Sequence, residues 1–211
     1  ESDLDVDAAA SGTVRLLGTG ARPLGEANLT SASGKAYGFP FLRGDLRLLF
    51  EGEALQVESL KALVGGGDLF VKGRLTGEGP AAAFDGEVEA KDVELADLGL
   101  QDPTRPMVGG RVSGRATLNG PMEKPRVSAH LASKRIFYGD EGMGTVALDV
   151  TGTGNGVLLV TGVSDSPRFR ADVTGSVEAK PPYQSRLELK LTNARVDPVL
   201  RALGSRFENA V

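Results

Sequence analysis

Gly12-Thr13-Val14-Arg15-Leu16-Leu17-Gly18, followed by Pro23 and Ala27-Asn28-Leu29, returns later in the chain. The second copy reads Gly114-Arg115-Ala116-Thr117-Leu118-Asn119-Gly120, followed by Pro125 and Ala129-His130-Leu131. Every element recurs at one constant offset, and duplication on this scale implies a stacked or extended architecture. Within both copies, apolar residues fall two apart, which is the period of a half-buried strand.

The correspondence runs outward from this opening. Gly44-Asp45-Leu46-Arg47-Leu48-Leu49-Phe50-Glu51-Gly52 is answered by Gly144-Thr145-Val146-Ala147-Leu148-Asp149-Val150-Thr151-Gly152. Leu55, Val57, Leu69, Val71 and Gly73 fall opposite Val157, Leu159, Ala171, Val173 and Gly175, and Asp92-Val93-Glu94-Leu95 falls opposite Asn193-Ala194-Arg195-Val196. The chain thus divides into residues 1–11, read as the end of a preceding repeat, a first repeat over 12–110 and a second over 111–211. Leu4, Val6, Ala8 and Ala10 already alternate in the opening residues, as they would if the sequence were part of a longer array.

Turn residues punctuate the strands. Asn119-Gly120-Pro121, Asn155-Gly156, Gly65-Gly66-Gly67-Asp68 and Gly77-Glu78-Gly79-Pro80 supply positive φ or a fixed proline φ, and short connections imply antiparallel neighbours. About six strands per repeat are expected, roughly a dozen in all. Asp197-Pro198-Val199-Leu200-Arg201-Ala202-Leu203-Gly204 carries an N-cap, a proline at the first helical position and a closing glycine, which predicts a short C-terminal helix. Its counterpart, Leu95-Ala96-Asp97-Leu98-Gly99-Leu100, predicts a single turn.

Composition narrows the function classes. The 29 glycines in 211 residues are about twice the usual share of roughly 7%, while a 40% hydrophobic content is that of a folded chain. The 24 Lys and Arg are interspersed among 28 Asp and Glu without a basic run, so nucleic acid is not an expected partner. The absence of cysteine removes disulfides and thiol chemistry. These residues contain neither an apolar run of membrane-spanning length nor a signal-peptide pattern.

Catalytic readings find little to stand on. His130 is the sole histidine, and alternation places it across from Ala129 and Leu131, on the solvated face. Asp85 with Glu87, and Asp140 with Glu141, read as face or turn residues. Gly152-Thr153-Gly154-Asn155-Gly156 lies between two strands and lacks the helix N-terminus of a phosphate loop. Gly65-Gly66-Gly67-Asp68 is not reiterated at the nonapeptide spacing of a calcium-binding β-roll. Arg111, Arg115, Lys124, Arg126, Lys134 and Arg135 make the early second repeat locally basic, which suits a solubilising surface or lipid headgroups. No enzyme activity, cofactor or metal is expected.

The apolar face remains to be explained. The residues assigned to it are Val14, Leu16, Leu46, Leu48, Phe50, Leu55, Val57, Leu69, Val71 and Leu75 in the first repeat. In the second they are Ala116, Leu118, Val146, Leu148, Val150, Val157, Leu159, Ala171, Val173, Leu187 and Leu189. They serve either a packed sandwich core or an apolar channel. Aromatics are only 5% of the chain, Trp is absent and many of these positions are small, whereas a dry core needs bulk to reach close packing.

The tandem pattern of Gly-x-Val-x-x-x-Gly (Ala116 replacing the Val in the second copy), a proline, an alternating strand, the bracketed strand Gly44 to Gly52 and the closing Ala90-Lys91-Asp92-Val93-Glu94-Leu95 resembles the repeats of the AsmA-like superfamily, most closely its TamB branch. That resemblance covers nearly the full chain and rests on glycines and alternation. It implies an all-β fold: an elongated, mainly antiparallel sheet curled into a U-shaped hydrophobic trough, the β-taco. It further implies a periplasmic protein anchored in the inner membrane whose groove carries phospholipid acyl chains between membranes. An Omp85-type outer-membrane barrel is the protein partner it implies. The alternatives are a scaffold that pairs its edge strands with a nascent β-barrel and a closed structural sandwich.

Overall fold

A computed structural model describes residues 6–19, 22–36, 38–77, 82–98, 108–121, 124–178 and 184–192. Thirteen strands form a single sheet: β1 Val6–Ala8, β2 Ser11–Thr19, β3 Arg22–Ala36, β4 Phe39–Glu51, β5 Ala54–Val64, β6 Gly67–Thr76, β7 Ala83–Glu94, β8 Val108–Pro121, β9 Arg126–Tyr138, β10 Glu141–Thr153, β11 Val157–Asp165, β12 Arg170–Glu178 and β13 Ser185–Thr192. Neighbours in sequence are neighbours in the sheet from β3 to β13, and every ladder among them is antiparallel. β1 and β2 pair with the same side of β3 and together form one interrupted edge strand. At roughly 4.8 Å per step, twelve strand positions carry the sheet about 53 Å along its hydrogen-bond direction. The fold is the expected all-β, elongated, open curled sheet. A 3-10 turn at Leu95–Leu98 occupies the predicted single turn, while the predicted helix at 197–204 lies outside the described residues.

Strand positions recur along the chain. β1 with β2 spans Val6 to Thr19 and β8 spans Val108 to Pro121, a constant offset of 102 that also relates β4 to β10. The β3·β4 and β9·β10 ladders keep the same relation, so Leu46 answers Leu148 and Leu48 answers Val150. Aligning the Gly44–Gly52 and Gly144–Gly152 brackets is therefore two residues out of structural register. An even shift leaves each side chain on its face.

Most of the ladder irregularities fall on one line crossing the strands, where they can bend the sheet. The break between β1 and β2 faces Ser31 to Ser33, which face the irregularity between Leu42 and Asp45. Further along, register shifts fall between Ala90 and Val93, between Gly110 and Ser113, and between Gly142 and Val146. Arg43, Asp92, Gly110 and Gly144 all adopt positive φ on this line. A bulge bends its strand and adds twist, and bulges aligned on adjacent strands turn a flat sheet into a curled one.

The backbone groups that bulges free from the ladder are taken up by hydroxyls. Ser133 donates to the Arg111 carbonyl at 2.6 Å and accepts from the Arg135 N–H at 3.2 Å. Ser164 donates to the Met143 carbonyl at 2.6 Å, and the Asp92 N–H donates to Ser113 at 2.9 Å. Ser133 and Ser164 are the only buried polar residues among those described, and bonding satisfies each, as burial of a hydroxyl requires.

Candidate functional site

Residues paired directly across an antiparallel ladder share a face. One row can therefore be followed across the whole sheet: Gly12, Leu29, Leu46, Leu60, Val71, Val88, Ala116, Ala129, Val150, Val160, Gly175 and Leu187 are successive partners. No polar side chain interrupts it. The neighbouring row on the other face runs Ser11, Thr30, Asp45, Lys61, Phe70, Glu89, Arg115, His130, Asp149, Thr161, Thr174 and Glu188 through the same ladders. Its one large apolar member, Phe70, carries the Lys91 ammonium 5.4 Å from its ring centre.

The registers place Val14, Leu16, Leu46, Leu48, Phe50, Leu55, Val57, Leu69, Val71 and Leu75 on the apolar face, together with Ala116, Leu118, Val146, Leu148, Val150, Ala171, Val173, Leu187 and Leu189. Val157 and Leu159 are on the opposite face: they pair with Glu178 and Ser176, and Leu159 also pairs with Thr151. Their expected place on the apolar face is thus corrected. The cause is a single residue. β5 carries a bulge between Val57 and Leu60 that β11 lacks, while the turn before β11 is one residue longer than the turn before β5. An unbulged β11 presents Leu158 and Val160 instead, since a one-residue slip exchanges the faces of a strand.

Other members of the face escaped sequence reading, among them Ala27, Leu29, Leu60, Phe84, Val88, Val127 and Leu131. Their signal was alternation within strands whose partners had already been assigned. Glycines on this face shape it further. A Cβ at Gly86 would lie 2.3 Å from the Phe84 ring, one at Gly162 2.3 Å from a Leu148 methyl, and one at Gly114 2.6 Å from a Leu131 methyl. Large side chains lie across glycines along the sheet surface, which keeps the face low and its interior unfilled.

Among the described residues, exposure gives no sign of a second layer on this face. Among the described residues the buried apolar ones are Ala27, Ala54, Ala62, Ala82, Val93, Phe169 and Ala171, and no large side chain is fully buried. In a packed sandwich, Leu, Ile and Val would head that group. Val14 at one end of the sheet is 56% exposed and Leu189 at the other 53%, and the face between them is half-buried. The result is an elongated trough.

The polar face is stitched by cross-strand ion pairs. Arg15 meets Glu26 at 3.4 Å, Arg47 meets Glu58 at 2.7 Å, Arg74 meets Glu51 at 2.8 Å, and Glu87 takes both Lys72 at 3.0 Å and Arg115 at 2.7 Å. The Lys72 hydrogen bond, helped by the charge of Arg115, holds the Glu87 carboxyl below its ordinary pKa. A lowered carboxylate pKa adds stability that is present above the unfolded value and lost as pH falls through the folded one. The melting temperature of the Glu87→Gln variant should accordingly lie below wild type at neutral pH and converge on it as pH drops beneath the normal glutamate range. A gap independent of pH would contradict this assignment. His130 sits on the same face, 2.8 Å from Asp149, with its side chain 60% exposed. Among the described residues no group of acidic or histidine side chains is placed to hold a metal, and no helix is long and apolar enough to cross a membrane.

Compared with protein-family models, curated proteins and solved structures, the chain matches none. Function is therefore argued from the two faces. Among the described residues, an unbroken apolar strip is backed by a charged, ion-paired surface. The strip offers shelter from water along a line.

Proposed function

We propose that this chain is a lipid-conducting segment whose apolar trough shields phospholipid acyl chains as they move between two membranes. The observation that carries the reading is the twelve-position row from Gly12 to Leu187, apolar or glycine throughout and with no covering layer among the described residues. At about 0.8 kcal/mol per methylene, two acyl chains of roughly fifteen methylenes meet a cost on the order of 20 kcal/mol in water. A continuous apolar surface removes most of that cost at every step. The row carries no polar or charged group to fix a headgroup in one place, as suits a conduit. The likeness to AsmA-like repeats supports the same reading and adds its setting: a periplasmic segment of an inner-membrane-anchored protein.

Native mass spectrometry after expression in a bacterial host tests it. Phospholipid should co-purify with the chain, and delipidated protein should take up a fluorescent phospholipid from vesicles. A lipid-free preparation that takes up none would overturn the proposal.

A further inference from the structure

The internal duplication makes the two ends of the sheet complementary. Among the described residues, no strand pairs with the outer edge of β2 or of β13. Within the molecule, the repeats meet where β7 pairs with β8, with Gly86 opposite Leu118 and Val88 opposite Ala116. Val14 and Leu16 of β2 occupy the places of Ala116 and Leu118 in β8. In β13, Leu187 and Leu189 occupy the places of Gly86 and Val88, on the same face.

We infer that β13 of one molecule pairs with β2 of a second copy, antiparallel and in the register of the β7·β8 junction. This register sets Leu187 against Leu16, Leu189 against Val14 and Glu188 against Arg15. Apolar face then continues into apolar face, and the polar face gains an opposite charge pair. The internal junction shows the same chemistry, since Arg115 of β8 contacts Glu87 and Glu89 of β7 at 2.7 Å and 3.8 Å. The four leucine and valine side chains concerned are each more than half exposed, and pairing covers them all. Two different edges meet, so the contact is head-to-tail and extends the sheet without closing it. The inference stands on the repeat and its edges, independent of what the trough carries.

Because the chain has no cysteine, mixed single-cysteine variants report the register directly. Leu16→Cys mixed with Leu187→Cys should form an inter-molecular disulfide about tenfold faster than Leu16→Cys mixed with Glu188→Cys, whose thiols point to opposite faces. Glu188→Arg should weaken association by about fivefold, the upper range for one exposed pair. Mixing Glu188→Arg with Arg15→Glu should restore part of that loss. Equal disulfide rates, dominant Leu16→Cys self-linkage, or a monomer at all concentrations in sedimentation would each overturn the inference.

Discussion

Leu148→Asp should reduce the phospholipid co-purifying with this chain by at least tenfold. A charge in a hydrocarbon setting costs about 2.5–3.5 kcal/mol, and Leu148 stands in mid-sheet, between Leu131 and Gly162 on the apolar face. Since a half-buried site also contributes to folding, a matched pair separates the two effects. Leu189 and Leu159 are 53% and 52% exposed, so aspartate at either removes little packing. They differ in face: Leu189 pairs with Val173, and Leu159 pairs with Thr151 and Ser176. Leu189→Asp should lower bound lipid and Leu159→Asp should leave it unchanged, with circular dichroism the same in both. Equal loss in the two, or no loss in either, would sink the trough reading.

That contrast bears on what the sequence could reveal. Period-two alternation in Leu46, Leu48 and Phe50, or in Leu187 and Leu189, located strands and their apolar sides because one face of each is apolar and the other carries charge. The fold class and the rough number of strands followed from the same pattern with its glycine turns. The face of Val157 and Leu159 did not follow. Both faces of β11 hold apolar residues, with Leu158 and Val160 on one and Val157, Leu159 and Val163 on the other, so alternation carries no sign there. Only the ladders with β10 and β12 settle it. Bulges were equally hidden, since Arg43 and Asp92 adopt positive φ without the glycine that would advertise it.

Curvature therefore has a different origin from the apolar pattern. Alternation makes a flat two-faced ribbon, and twelve such strands would leave a broad greasy plane in water. Aligned bulges fold that plane on itself, and Ser113, Ser133 and Ser164 make the fold line permissible by bonding the backbone groups it releases. Glycines on the apolar face then let Phe84 and Leu148 lie flat. The open interior thus depends on backbone geometry as much as on side-chain character.

Gly144→Ala tests that dependence and should lower the melting temperature by about 10 °C. Gly144 sits on the fold line at φ +76, where a Cβ would come within 2.0 Å of the Asp165 carbonyl oxygen. Positive φ alone costs a non-glycine residue roughly 1–2 kcal/mol, a cost that Arg43 and Asp92 bear at φ 50 and 52. The carbonyl contact is the larger problem, because it belongs to backbone that cannot swing aside. Relieving it means parting β10 from β11 where Thr145 pairs with Asp165, for a total of about 3–4 kcal/mol. Gly156 supplies the control: its φ is +82, yet nothing lies within 4 Å of the same Cβ. Gly156→Ala should thus show the conformational cost alone, a shift of about 3 °C at roughly 2–4 °C per kcal/mol for a chain of this size. Equal shifts would mean that the β10·β11 contact at Gly144 is not what fixes the bend, whereas a threefold difference assigns the curl to close backbone approach at the fold line.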